Sequence, residues 1–211
     1  MWYTYDENGK PAWYQAAAYA TNGNVWVDDL VRYTNDGEKQ HITTAGHVAI
    51  TVLGENDMIF SFVLFGENGS DRMYPLASTD CPGDVGDKKS YDGIWSRTAI
   101  GVGGATGLTN SASEGFVHYI YDDDGNPVWL TAASGPQPPT STDMPLLQWS
   151  GYCAACTGAD PTFETVGVFT RTFFDEANMN WTLDYVLSPP LAGSITRTDD
   201  TQKLTIKQVC Q

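Results

Sequence analysis

The sequence predicts an all-β protein of two tandem antiparallel β-meander repeats, each a barrel or sandwich. Three observations predict it: a motif written twice, strand-period alternation along most of the chain, and a scarcity of helical spacing. Residues 3–13 read Tyr-Thr-Tyr-Asp-Glu-Asn-Gly-Lys-Pro-Ala-Trp, and residues 119–129 read Tyr-Ile-Tyr-Asp-Asp-Asp-Gly-Asn-Pro-Val-Trp. Both fit Y-x-Y-D-x-x-G-x-P-x-W, with Tyr5 matched to Tyr121 at an offset of 116. The offset holds without a gap to Leu30/Leu146, Val31/Leu147, Tyr33/Trp149 and Thr34/Ser150. A register kept that long reads as an internal duplication of roughly domain length. No long stretch carries i, i+3, i+4 apolar spacing between caps, and Gly and Pro recur throughout.

The repeated motif reads as a hairpin. Tyr3 and Tyr5 alternate with Trp2 and Thr4, as side chains do on a strand. Asp-x-x-Gly then supplies the turn: the Asp side chain bonds the backbone ahead of it, and Gly takes the positive φ. Pro11 and Pro127 fall where the next strand starts, one of the few strand positions that tolerates a residue without an N–H.

Taken in order, the first repeat (1–80) predicts six strands, near 2–6, 11–19, 25–34, 46–53, 57–65 and 71–77. Met58, Phe60, Phe62 and Leu64 form one apolar face, with Ser61 opposite. A linker follows at 81–92 by composition. The second repeat (93–198) opens on Gly93-Ile94-Trp95 and a glycine-rich run at 101–107, which read as two strands. Six more follow near 116–121, 127–134, 144–150, 165–174, 178–187 and 193–198. Met179, Trp181, Leu183 and Tyr185 match the apolar face of the first repeat at an offset of 121. Eight short strands in simple succession predict an up-and-down barrel on the avidin plan for this repeat. The first repeat has six strands where that plan has eight. Residues 199–211 are left as an extra strand or tail.

The chain resembles a recurrent, mostly uncharacterised domain of secreted and cell-envelope proteins of Gram-negative bacteria. The resemblance rests on a G-x-W opening, the Y-D-x-x-G-x-P-x-W-L hairpin, and an aromatic strand ending near I-T-R. The second repeat supplies Gly93/Trp95, Tyr119 to Leu130, Leu146 to Gly151, Val166-Gly167 to Phe173 and Ile195-Thr196-Arg197. The first repeat supplies Trp2 to Tyr14 and Leu30 to Thr34 but lacks the opening section. The family implies a secreted β protein and brings no established catalytic residues.

A formal net charge of −15, with eleven scattered basic residues, argues against nucleic acid and anionic membrane surfaces as partners. No apolar run approaches about 18 residues, so no segment is expected to insert into a bilayer as a helix. The chain opens at Met1-Trp2, already inside a strand, so residue 1 reads as a boundary imposed by cleavage or by the choice of fragment. Cys81, Cys153, Cys156 and Cys210 read as structural disulfides, with Cys153–Cys156 and Cys81–Cys210 the preferred pairs. Disulfides place the protein in an oxidising compartment, extracellular or periplasmic.

A hydrolase is the second alternative and has little support: no G-x-S-x-G elbow or other nucleophile context occurs, and no catalytic residue or resident cofactor is expected. His118 beside the motif reads as a surface or core histidine. Calcium is the one metal to weigh, through Asp122 and Asp124, but adjacent acids on a tight turn splay apart and lack the spacing of an EF-hand. Trp13, Trp26, Trp129 and Trp149 are candidates for stacking on sugar rings, which makes a lectin-like module the main alternative. The favoured function is a non-catalytic structural protein that self-associates, or joins another extracellular protein, by β-strand addition. Its assembly strand is the tail, where Leu204 and Ile206 alternate with polar neighbours ahead of Val209. Such a contact between copies would be able to propagate into a filament.

Overall fold

The structure, a computed structural model, describes residues 1–17, 23–54, 56–74, 93–97, 103–109, 114–134, 141–151, 160–175 and 177–204. All its regular elements are strands, as expected. The chain divides into two compact units. The first comprises Met1–Thr79 with Asp124–Val128 and Ser150–Thr162; the second comprises Asp80–Asp123, Trp129–Trp149 and Phe163–Gln211.

In the first unit β1 (Trp2–Tyr5) and β2 (Pro11–Tyr14) form an antiparallel hairpin, Trp2 facing Tyr14 and Tyr5 facing Pro11. The turn between them follows the expected chemistry. Asp6 Oδ1 accepts the N–H groups of Asn8 and Lys10, each at 2.9 Å, and Gly9 adopts φ 73°. Gly125, in the second copy of the motif, adopts φ 76°. β3 (Val25–Asn35), β4 (Gln40–Gly54), β5 (Asp57–Leu64) and β6 (Glu67–Met73) form a separate antiparallel sheet in chain order. Gln15 and Val31 exchange backbone hydrogen bonds of 3.0 and 2.8 Å, tying the end of the hairpin to β3 just past a bulge at Leu30/Val31. Ala12 and Tyr14 pack with Leu30, Val48, Phe62 and Leu64, and Trp2, Trp26 and Phe60 close over them.

The second unit is a closed barrel. β7 (Gly93–Arg97), β8 (Gly104–Thr109), β9 (Glu114–Tyr121), β10 (Pro127–Ser134), β11 (Ser141–Ser150), β12 (Thr162–Phe173), β13 (Asn178–Val186) and β14 (Ser194–Lys203) each neighbour the next, and β14 returns to β7. This is the up-and-down closure expected of eight successive strands. Alternation fills it: Met179, Trp181, Leu183 and Tyr185 all point inward and are buried, as are Phe169, Trp95, Leu130 and Leu146 from other strands. Full burial of each such side chain contributes about 1.5–3 kcal/mol. In the loop that follows β13, Leu187 and Leu191 are buried. Gln148 clamps that loop, donating to Ser188 O and accepting from Ser188 N, both at 2.9 Å.

Several boundaries differ from expectation, among them the second strand, expected over 11–19 and observed over Pro11–Tyr14, and three whose cause is plain. β4 starts at Gln40, six residues early, because Gln40–Thr44 pair with β3 beyond the bulge although their side chains are exposed. β6 occupies Glu67–Met73 rather than 71–77, since a two-residue turn after Leu64 sends the chain straight back. β14 runs to Lys203, so Asp199–Lys203 are barrel strand rather than tail: Thr201, Gln202 and Lys203 face Arg97, Ser96 and Trp95.

Candidate functional site

β5 and β6 are joined by Phe65-Gly66, both with positive φ (52° and 86°), as a two-residue I′ turn requires. A loop of this kind is closed by a hydrogen-bonded pair, here Leu64 and Glu67. From that pair onward Gly69, Asp71 and Met73 turn their N–H and C=O groups toward β5, and the intervening Asn68, Ser70 and Arg72 turn theirs away. β6 is the last strand of its sheet, so among the described residues those outward groups form an unpaired edge.

The side chains of these three residues stand on the face opposite the core. Ser70 Oγ lies 2.9 Å from Ser61 Oγ, and Arg72 Nε donates to Asp57 Oδ1 at 2.8 Å, with its guanidinium 5.7 Å from the Tyr74 ring centroid. The hydrogen bond from Arg72 holds the Asp57 carboxyl below its usual range, and the same bond pushes the guanidinium up. Exposed apolar groups sit at both ends of the strand: Phe65 before it, Met73 and Tyr74 at its close.

No family model, curated protein or solved structure matches this chain. The site is therefore read from its own chemistry, which is that of a strand edge: three residues offering alternating donors and acceptors, bordered by apolar side chains.

A second polar cluster, inside the barrel, was not singled out from sequence. Arg171 donates from Nε and Nη2 to the two carboxylate oxygens of Glu114 at 2.5 and 2.7 Å, and both side chains are buried. The guanidinium also lies 4.5 Å from the Phe173 ring centroid. His118 is fully buried, with ring centroids of Phe169, Trp181 and Phe116 at 4.3, 5.3 and 6.1 Å. Neither of its ring nitrogens has a hydrogen-bond partner among the described residues. Burial pushes its pKa down to about 3, so it is a neutral core histidine at ordinary pH.

The residues singled out from sequence are scattered. Asp122 is buried and Asp124 exposed, and among the described residues no three acidic, His or Cys side chains converge as a metal site would need. Trp13 is 3% exposed with Tyr33 stacked at 5.6 Å, which leaves its faces no room for a sugar. Trp26 is half-buried against the first unit's core. Trp129 and Trp149 are half-buried; Trp149 Nε1 donates to Thr131 Oγ1 at 2.7 Å, and its ring sits 5.1 Å from that of the exposed Phe163. Leu204 is exposed and donates its N–H to Ile94 O at 2.8 Å, continuing the β14–β7 ladder. Cys81, Cys153, Cys156, Cys210, Ile206 and Val209 lie outside the described residues.

Proposed function

We propose that this is a non-catalytic extracellular or periplasmic assembly protein that self-associates by β-strand addition at the sheet of its first unit. The observation carrying this reading is the unpaired edge of β6 beside exposed Phe65, Met73 and Tyr74. The reading treats the first unit as an incomplete copy of the barrel, with six strands in place of eight. Equivalent positions support the duplication. Trp2 corresponds to His118 at an offset of 116, and Phe60 to Trp181 at 121. Trp2 meets Phe60 edge-on at 5.1 Å and 62°, and His118 meets Trp181 at 5.3 Å and 70°. In the closed barrel β14 finds β7 beside it, whereas β6 has no counterpart of β7 among the described residues.

Because Asp199–Lys203 belong to the barrel, any strand donated by the tail starts after Leu204. Sedimentation equilibrium over a wide concentration range tests the reading: the full chain associates reversibly. A chain that stays monomeric throughout removes it. Mass spectrometry under non-reducing conditions tests the compartment, with all four thiols expected to be oxidised.

One observation favours the lectin-like reading: the Trp149–Phe163 pair offers an aromatic surface whose indole is held in place by Thr131. Glycan-array binding that disappears in Trp149→Ala would establish it, and a blank array for the parent protein would dismiss it.

A further inference from the structure

We propose that the occupant of the open edge is β6 of a second copy, paired antiparallel about a two-fold axis through Ser70, so that assembly at this edge closes as a dimer. The inference rests on the assembly reading above and names its partner and register. The residues whose backbone groups point outward are Asn68, Ser70 and Arg72. A two-fold centred on Ser70 maps this set onto itself: Ser70 meets Ser70 of the second copy, and Asn68 meets its Arg72. Each pair exchanges two bonds, giving about six across the contact.

The charges select this register over its neighbours. Centred on Ser70, Asp71 faces glycine (Gly69), Glu67 faces Met73, and Arg72 faces Asn68, so no like charges stand opposite. Sliding two residues one way sets Asp71 against Asp71; sliding the other way sets Asp71 against Glu67. A one-residue slip sets each outward-facing residue opposite one whose N–H and C=O point back into its own sheet, so no ladder forms. The chosen register also brings Tyr74 of each copy beside the Phe65-Gly66 turn of the other. A strand with Asp, Arg and Glu on its edge would ordinarily resist pairing. Here the charges resist both neighbouring registers.

The experiment is a charge swap at the axis. Ser70 is exposed and its neighbour on β5 is Ser61, so Ser70→Lys and Ser70→Glu leave the first unit's core untouched. Circular dichroism and thermal melting verify that each variant is folded. In the two-fold contact each variant opposes its own charge, and dimerisation of either alone is expected to weaken roughly twofold to fivefold. An equimolar mixture of the two is expected to restore association as a mixed dimer, seen by sedimentation and native mass spectrometry. If the parent associates but the variants associate as tightly, or mixing restores nothing, the β6–β6 contact is wrong. In that case deletion of residues 205–211 identifies the tail as donor, and the assembly reading survives. A parent chain that never associates overturns both.

Discussion

His118 makes the barrel acid-sensitive. Its imidazole titrates near 6.5 in an unfolded chain and near 3 in the barrel, because burial among Phe116, Phe169 and Trp181 penalises the charged form. Between those values only the unfolded chain takes up the proton. The neutral histidine's contribution is therefore complete above about pH 7. It declines by about 1.4 kcal/mol per pH unit as pH falls toward 3. From about pH 7 to about pH 5 the loss amounts to roughly 2 kcal/mol. His118→Phe keeps an aromatic ring in the site and cannot be protonated. Urea unfolding of both proteins at several pH values in that window isolates the effect, since the carboxylates titrate alike in the two. The stability of the variant relative to the parent should rise by about 2 kcal/mol on acidification, with m-values unchanged. A difference that stays constant within about 0.5 kcal/mol would mean that the buried imidazole is solvated or paired, and the argument fails.

Arg171→Met strands the Glu114 carboxylate inside the barrel and should cost about 3–5 kcal/mol in denaturant unfolding. The double variant with Glu114→Leu should recover most of that loss, because no charge is then left buried without a partner. Gln148→Ala removes both hydrogen bonds to Ser188 and should destabilise by about 1–3 kcal/mol while raising hydrogen exchange in the loop around Leu191. Copies that each carry a formal charge of −15 repel one another, so dimerisation should tighten as salt is added. Association that weakens with salt would point to an ionic contact instead.

The strands were legible where one face is apolar. Met179, Trp181, Leu183 and Tyr185 alternate without exception and are buried as the pattern demands. Where burial is partial the same pattern says less: of the matching set in β5, Phe62 and Leu64 are buried and Met58 and Phe60 only half so. The beginning of β4 was illegible because its residues are exposed, and pairing past a bulge leaves no hydrophobic trace. Asp199 and Asp200 fall in the stretch left as a tail, yet they pair with Trp181 and Asn180, Asp199 on the inner face beside Trp181 and Asp200 on the wet face. The Glu114–Arg171 pair was missed although half of it was signalled. Arg171 shares strand parity with Phe169 and Phe173, which places its side chain inside; its partner stands 57 residues earlier, beyond any local pattern. The open edge of β6 depended on where that strand begins, and hence on Phe65 accepting positive φ, a conformation its residue type does not advertise.

Closure of the barrel by β14 against β7 joins residues about 100 positions apart in the chain, the costliest kind of loop to close during folding. A nascent chain emerging from the ribosome carries β7 through β13 for as long as β14 is still being made, with Trp95 and the inner faces of those strands lacking their final neighbour. The last contact formed is also the one that hides the core. Synthesis thus exposes an aggregation-prone intermediate whose lifetime is set by how soon Thr201–Lys203 arrive. Even a short truncation within β14 should therefore reduce the yield of folded protein more than the loss of a few surface residues would suggest.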